Sequence, residues 1–476
     1  MLFNSFHFLV FFIIVTSLYF LTPYQKRWFI LLISSCYFYM TFVPIYILIL
    51  GFTIVIDYFS AIYIENSEGK KRKRFFIISL IANISVLAIF KYYNFLNQNF
   101  SFLINTLGFI NPIPYLSILL PVGLSFHTFQ SISYTIEVYR GNQKAERHFG
   151  IYSLYVMFYP QLIAGPIERP QNLLHQFKEK YDFEYNRVVD ALKLILWGLF
   201  KKLVIADRLA IYVNTVYNNP EQHNGNTFFL ATIFFAFQIY CDFSGYSDIA
   251  IGTANFMGFK LMKNFNHPYF SRNMSEFWSR WHISLSTWFK DYLYVSFGGN
   301  RVSIHLMYLN LFLVLLISGL WHGANWTYII CGAIHGFYLV FAIITKEFRK
   351  KINVLIGIEK IPWLNKLLKV IITFMLTCFA WIFFRANNVT EAFIIIKKIF
   401  TFSGVVFIEN PSMMIYSFLG IFILLFVEIK DEFYIGKYYF FRNTSWIIRN
   451  LSYAFLIITI LLIGVFDGGE FIYFQF

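Results

Sequence analysis

Three unusual pieces lie between Tyr240 and Gly336: YCDFSGYSD at Tyr240–Asp248, NFNHPYFSRNMSEFWSRWHISLSTWFKDYLYVSFGGNR at Asn264–Arg301, and SGLWHGANWTYIICGAIHG at Ser318–Gly336. His282 and His322 stand there among tryptophans, charges and a glycine-interrupted turn, and apolar runs long enough to cross a bilayer lie on both sides. A charged group at bilayer depth costs about 2.5–3.5 kcal/mol even on the lenient insertion scale, so an ionisable residue there is a functional candidate by default. Histidine avoids most of that cost by staying neutral, and a neutral imidazole is what a general base requires.

Composition points the same way. Of 476 residues 58% are hydrophobic and 13% charged, with a mean hydropathy of +0.58. Soluble chains carry about 25% charged residues, so the chain reads as a multi-span membrane protein. Phe and Tyr, at 61 and 33 copies, supply interfacial belts and bulky packing between helices. The net charge of +14 resides in short loops between apolar runs, where it sets topology and meets anionic lipid. No soluble basic module is present, so nucleic acid is not an expected partner. Cys36, Cys241, Cys331 and Cys378 are scattered, which suits neither a disulfide frame nor a zinc site.

Outward from the centre, Phe3–Leu21 reads as an uncleaved first span, and Lys26 and Arg27 behind it place the amino terminus outside. Trp28–Met40 and Ile45–Ile64 follow, and the GKKRKR run at Gly69–Arg74 reads as a cytoplasmic anchor. Phe75–Phe95 crosses outward, Asn97–Tyr115 is an uncharged outer loop, and the next span runs inward to Val138. Tyr159–Pro170, YPQLIAGPIERP, is too broken for a plain span; such backbone is tolerated at depth only when buried in protein or lining a cavity. Lys260–Arg301 is too polar to cross and reads as re-entrant or interfacial helices. Ile304–Leu320, Trp326–Thr345, Val370–Phe384, Met413–Val427 and Trp446–Phe466 complete the spans, with Lys430–Arg449 inside and the tail after Asp467 outside. The expected fold is all-α and polytopic, with about ten to twelve crossings.

Single residues leave two readings open. His322 sits between SGLW and GAN, where Gly and Asn loosen the helix and free backbone groups; it is either a substrate-side base or a packing histidine bonded to a carbonyl. His282, beside Trp281 and one turn past Trp278, is either functional or an interfacial histidine. His335 and His127 read first as satisfied core histidines. Asp242 and Asp248 read as structural partners of Arg280 or Arg272, since charges inside membranes are usually paired. Arg280, Lys290 and Arg301 are candidates for meeting a phosphate-bearing donor. No Walker, GxSxG or HExxH pattern is present, and no metal site is expected.

These pieces together resemble the membrane-bound O-acyltransferase (MBOAT) superfamily, in its bacterial alginate O-acetylase-type branch. The similarity rests on LPVGLSFHTFQSISYTIEVYRG, FYPQLIAGPIERP, YCDFSGYSDIAIG, FWSRWHISLSTWFKDYLYVSFGGNR, SGLWHGANW, AIHG, WIFFRA and FIYFQF, which run in order from Leu120 to Phe476. The resemblance implies one integral-membrane domain over residues 1–476: amino-terminal spans 1–138, a catalytic core 139–345 with a re-entrant segment 256–301, and carboxy-terminal spans 346–476. It implies helices around a funnel that joins a cytoplasmic donor side to an outer acceptor side.

The superfamily's near-invariant histidine falls on His322 and its second polar catalytic position on His282. His322 would act as general base on an acceptor hydroxyl, and His282 would position the acyl group or polarise its carbonyl. Trp281, Trp321, Asn325 and His335 join Arg280, Lys290 and Arg301 as candidates for holding donor or substrate. The implied reaction carries acetyl from a cytoplasmic thioester, with acetyl-CoA as donor substrate and no bound cofactor, to an extracytoplasmic polysaccharide such as alginate. Transfer is direct or through a secreted SGNH-hydrolase-like acetyltransferase partner. The alternatives are D-alanyl transfer to teichoic acid from a carrier-protein thioester and, in a different class, a polysaccharide-precursor transporter. The expected location is the plasma (inner) membrane.

Overall fold

The structure, a computed structural model, describes residues 1–117, 120–401, 403–433, 445–467 and 471–472. Regular structure among the described residues is entirely helical. Eight helices among these residues are long and apolar enough to cross a membrane: Pro44–Glu65, Gly69–Thr106, Gly225–Met257, Ile304–His322, Trp326–Ile344, Pro362–Arg385, Pro411–Phe433 and Trp446–Ile463. The chain is an all-α polytopic membrane protein. Phe6–Leu21, Arg27–Met40 and Leu124–Arg140, three further expected spans, are helices of 16, 14 and 17 residues. Their shortness accounts for the lower count. The expected inner loop Lys430–Arg449 and the tail after Asp467 fall partly outside the described residues.

Boundaries moved where charge was read as loop. The basic run at Gly69–Arg74 opens a helix that continues through a π-turn at Ala88–Tyr92 to Thr106. Lys and Arg stems tolerate this by lying along apolar surface while their heads reach water. Lys260–Arg301 holds only short pieces, the helices Met274–Arg280 and Ile283–Phe289 and the turns Pro268–Phe270, Lys290–Tyr294 and Gly299–Arg301. None is long enough to cross.

The residues group into two compact units. The first, Met1–Ile195 with Ser247–Met262, is pinned by a buried polar knot. Asp57 accepts from Ser79 Oγ at 2.6 Å and from Asn83 Nδ2 at 2.9 Å, and Ser79 Oγ also reaches Thr135 Oγ1 at 3.0 Å. Three helices are tied together because a carboxyl group in an apolar interior is costly without partners. The broken run Tyr159–Pro170 forms one helical turn at Tyr159–Leu162 and then non-helical chain, nearly all of it buried. Its backbone is satisfied in part by Tyr155, whose hydroxyl donates to the Glu168 carbonyl at 2.9 Å.

The second unit, Leu196–Tyr246 with Lys263–Phe476, contains the antiparallel pair Ile304–His322 and Trp326–Ile344, joined by Gly323–Asn325. Their backbones touch through glycine. A Cβ added at Gly332 would lie 2.4 Å from the Leu315 carbonyl oxygen, and one at Gly319 2.3 Å from that of Tyr328. Small residues permit such close approach, the common basis of helix association in membranes. Gly332→Ala is therefore expected to cost about 1–3 kcal/mol through overpacking against rigid backbone, read as a lower melting temperature in detergent. An unchanged melting temperature would show that the two helices separate freely.

Candidate active site

His282 sits at the junction of two short helices. Asn273 caps the first, its Oδ1 accepting from the Glu276 amide at 2.9 Å, and the helix ends at Arg280. His282 then adopts φ 43° and ψ 56°, and Ile283–Phe289 follows. The left-handed region costs a non-glycine residue roughly 1–2 kcal/mol. Contacts from Asn264 hold the bend in place. Its backbone carbonyl accepts from the Ile283 amide at 2.8 Å, and its Oδ1 faces the Ser284 amide at 3.2 Å, Ser284 Oγ at 3.0 Å and His282 Nδ1 at 3.0 Å. The His282 imidazole is fully buried, with the Phe243 ring edge-on at 4.5 Å. Burial, and secondly the nearby His322, push its pKa well below the ordinary histidine value, so it is neutral at physiological pH.

His322 is the last residue of its helix and is 8% exposed. Its ring lies 5.0 Å from Trp321 and 5.3 Å from Phe384, and the Trp321 indole is 6.1 Å from the His282 ring. The two histidines thus meet around one tryptophan, inside an aromatic enclosure. Trp281, next to His282 in sequence, is stacked on Phe277 at 5.5 Å and packed against Trp381 at 5.2 Å. His335 is buried in an adjoining box, parallel to Phe277 at 6.1 Å, with Trp278 at 5.0 Å and Trp381 at 5.6 Å. Among the described residues neither of its ring nitrogens has a hydrogen-bond partner, so it is a core histidine but not a satisfied one.

The other candidates are engaged elsewhere or exposed. Arg280 is committed to carboxylates, reaching Glu432 at 2.8 and 3.0 Å and Glu276 at 2.8 Å. Lys290 is exposed and, with Trp278 and Ser318, lines a cavity of about 220 Å³. Arg301 is exposed on the turn Gly299–Arg301. Asn325 caps the helix Trp326–Ile344, accepting from the Thr327 amide at 3.0 Å, and donates to the Asn387 carbonyl at 3.2 Å.

Two contributors were not legible. Asn264 carries no signal of its own in NFNHPYF; only the folded turn brings it to His282. Asp242 does not pair with Arg280 or Arg272 as expected. Lys202 takes it at 2.7 Å and holds Asp207 at 2.8 Å, while the Ile472 amide donates to the second Asp242 oxygen at 2.7 Å. Burial works against the Lys202 charge, yet Asp242 and Asp207 outweigh it and raise the lysine pKa. This arrangement seats Phe471 against Tyr246 at 4.7 Å and Phe243 at 5.7 Å, behind the ring that touches His282.

A profile of the MBOAT, membrane-bound O-acyltransferase family, matches residues 146–384, a range that includes His282, His322 and His335. The chain is 38% identical over 405 residues to the probable alginate O-acetylase AlgI of Pseudomonas aeruginosa, covering 84% of this chain and 75% of that one. It is 36% identical over 413 residues to the peptidoglycan O-acetyltransferase of Helicobacter pylori, covering 80% and 75%. Teichoic acid D-alanyltransferase of Streptococcus thermophilus matches at 30% over 289 residues, 55% of this chain and 68% of that one. The chain belongs to the membrane-bound O-acyltransferase family and is an O-acyltransferase.

The ion cluster behind the site makes its own prediction. Lys202→Met would leave two buried carboxylates facing each other, and breaking such a cluster costs about 3–5 kcal/mol. The expected result is loss of folded protein in size-exclusion chromatography of detergent extracts. Wild-type recovery of the variant would mean that the cluster is dispensable.

Proposed function

We propose that this O-acyltransferase moves an acetyl group from a cytoplasmic thioester, acetyl-CoA, to a hydroxyl of an extracytoplasmic polysaccharide, with His322 and His282 as its catalytic pair. The single observation that carries this reading is the burial of both imidazoles around Trp321. In such a place water is scarce and a thioester is protected from hydrolysis. His322 takes the proton of the acceptor hydroxyl as its oxygen attacks the thioester carbonyl carbon. The carbon–sulfur bond then breaks, and the departing thiolate takes the proton from the imidazolium. His282 orients the reacting groups beside it.

Acetyl-CoA is too polar to cross a bilayer, whereas the polymer lies outside. A site within the membrane solves this by letting only the small acyl group pass. The reading places the chain in the inner membrane, with its amino terminus outside. The acetyl group reaches the polymer directly or by way of a secreted SGNH-hydrolase-like acetyltransferase. Acetyl is favoured over D-alanine because the O-acetylating relatives match at higher identity and over more of the chain than the D-alanyltransferase.

The test is O-acetyl content of the host's extracellular polymer, released by alkali and quantified, in a deletion strain complemented with variants. His322→Ala is expected to abolish acetylation, and His282→Ala to lower it by about 10²–10⁴-fold, both at wild-type membrane abundance. Wild-type acetylation in either variant would remove that histidine from the mechanism. Loss of D-alanine esters without loss of acetyl would move the reading to the alternative substrate.

A further inference from the structure

Asn264 Oδ1 is the oxygen, not the nitrogen, of its amide, and the backbone decides this. The Ser284 amide, which can only donate, points at that atom from 3.2 Å, and Ser284 Oγ donates to it from 3.0 Å. A flipped amide would set an NH₂ group against the Ser284 N–H. The same oxygen lies 3.0 Å from His282 Nδ1. An oxygen acceptor requires a donor opposite it, so Nδ1 carries the hydrogen. In a neutral imidazole the other nitrogen, Nε2, then holds a lone pair. The Asn264 main chain reinforces the arrangement by binding the Ile283 amide at 2.8 Å, so the residue fixes both the backbone and the ring of His282.

We infer that Asn264 is a positioning residue that locks neutral His282 as its Nδ1–H tautomer and presents Nε2 to the reaction as a hydrogen-bond acceptor. This rests on the proposed role of His282 and sharpens it. A lone-pair nitrogen cannot polarise a thioester carbonyl; it holds or receives a proton from a hydroxyl or thiol. Around the ring, Phe243 at 4.5 Å, Phe265 at 6.4 Å and Trp321 at 6.1 Å carry no charge, and His322 is a titratable neighbour. A charge on His322 therefore works against a charge on His282.

The experiment uses full-length protein in lipid nanodiscs, labelled with ¹⁵N-histidine, with the His282 signals assigned by their absence in His282→Ala. The expected spectrum has a protonated Nδ1 and an unprotonated Nε2. A His282 spectrum with the proton on Nε2 overturns the inference. The second arm is Asn264→Asp, which keeps an oxygen acceptor of the same shape but adds a negative charge that favours imidazolium. Its acid limb of acetyl transfer from acetyl-CoA is expected to move about one pH unit or more toward alkaline, with the alkaline plateau retained. A purely structural Asn264 would leave that limb where it is, and an unmoved limb overturns the inference. Activity surviving in His282→Ala would instead bring down the underlying reading, so the two failures are distinguishable.

Discussion

A polar group carried into an apolar interior must find its partner there, because water is not available to supply one. Several clusters among the described residues answer that demand. Asp57 is held by Ser79 and Asn83, Lys202 by Asp207 and Asp242, and Arg280 by Glu432 and Glu276. The same demand operates around His282, where one amide oxygen gathers a ring N–H, a hydroxyl and a backbone amide. Structure and chemistry are continuous here: the contacts that make the turn affordable to the fold are those that decide which imidazole nitrogen is basic.

The helical pair behind His322 shows how sequence sets this geometry. Gly319 and Gly332 bring two backbones to a separation that no side chain permits. The helix then stops at His322 because Gly323 is extended and Asn325 caps the next helix, which leaves the imidazole at a helix end. Trp321, next in sequence, lies between the two histidines instead of facing lipid. Burial and helix termination thus come from neighbouring residues with different duties, and a single substitution can disturb one without the other.

Much of this was legible in the chain. The helix Trp326–Ile344 was expected one residue longer, and Ile304–His322 two residues shorter. Long apolar runs between basic clusters announce themselves through local composition. His282 and His322 were legible for the same reason, as polar residues where polarity is costly. Asn264 and Lys202 were not. Asn264 acts over 18 positions of sequence and Lys202 over 40, and no local pattern reports which carboxylate a lysine will find. Asp242 was rightly read as paired, but the choice among basic residues was settled by packing: Arg280 had already been taken by Glu432.

The positive backbone angle at His282 joins these strands of argument. Most residues would avoid it, and glycine would adopt it without strain, yet neither alternative supplies an imidazole. The chain accepts the strained conformation because Asn264 binds the backbone just beyond the bend and the ring that projects from it. Ring orientation and tautomer then follow from one residue, and a residue with no chemistry of its own determines what its histidine can do. Burial alone does not set His282 apart, since His335 is buried as deeply. The protonation pattern of a buried histidine is set by the neighbour that accepts from one side of its ring, which is where the search for such residues should begin.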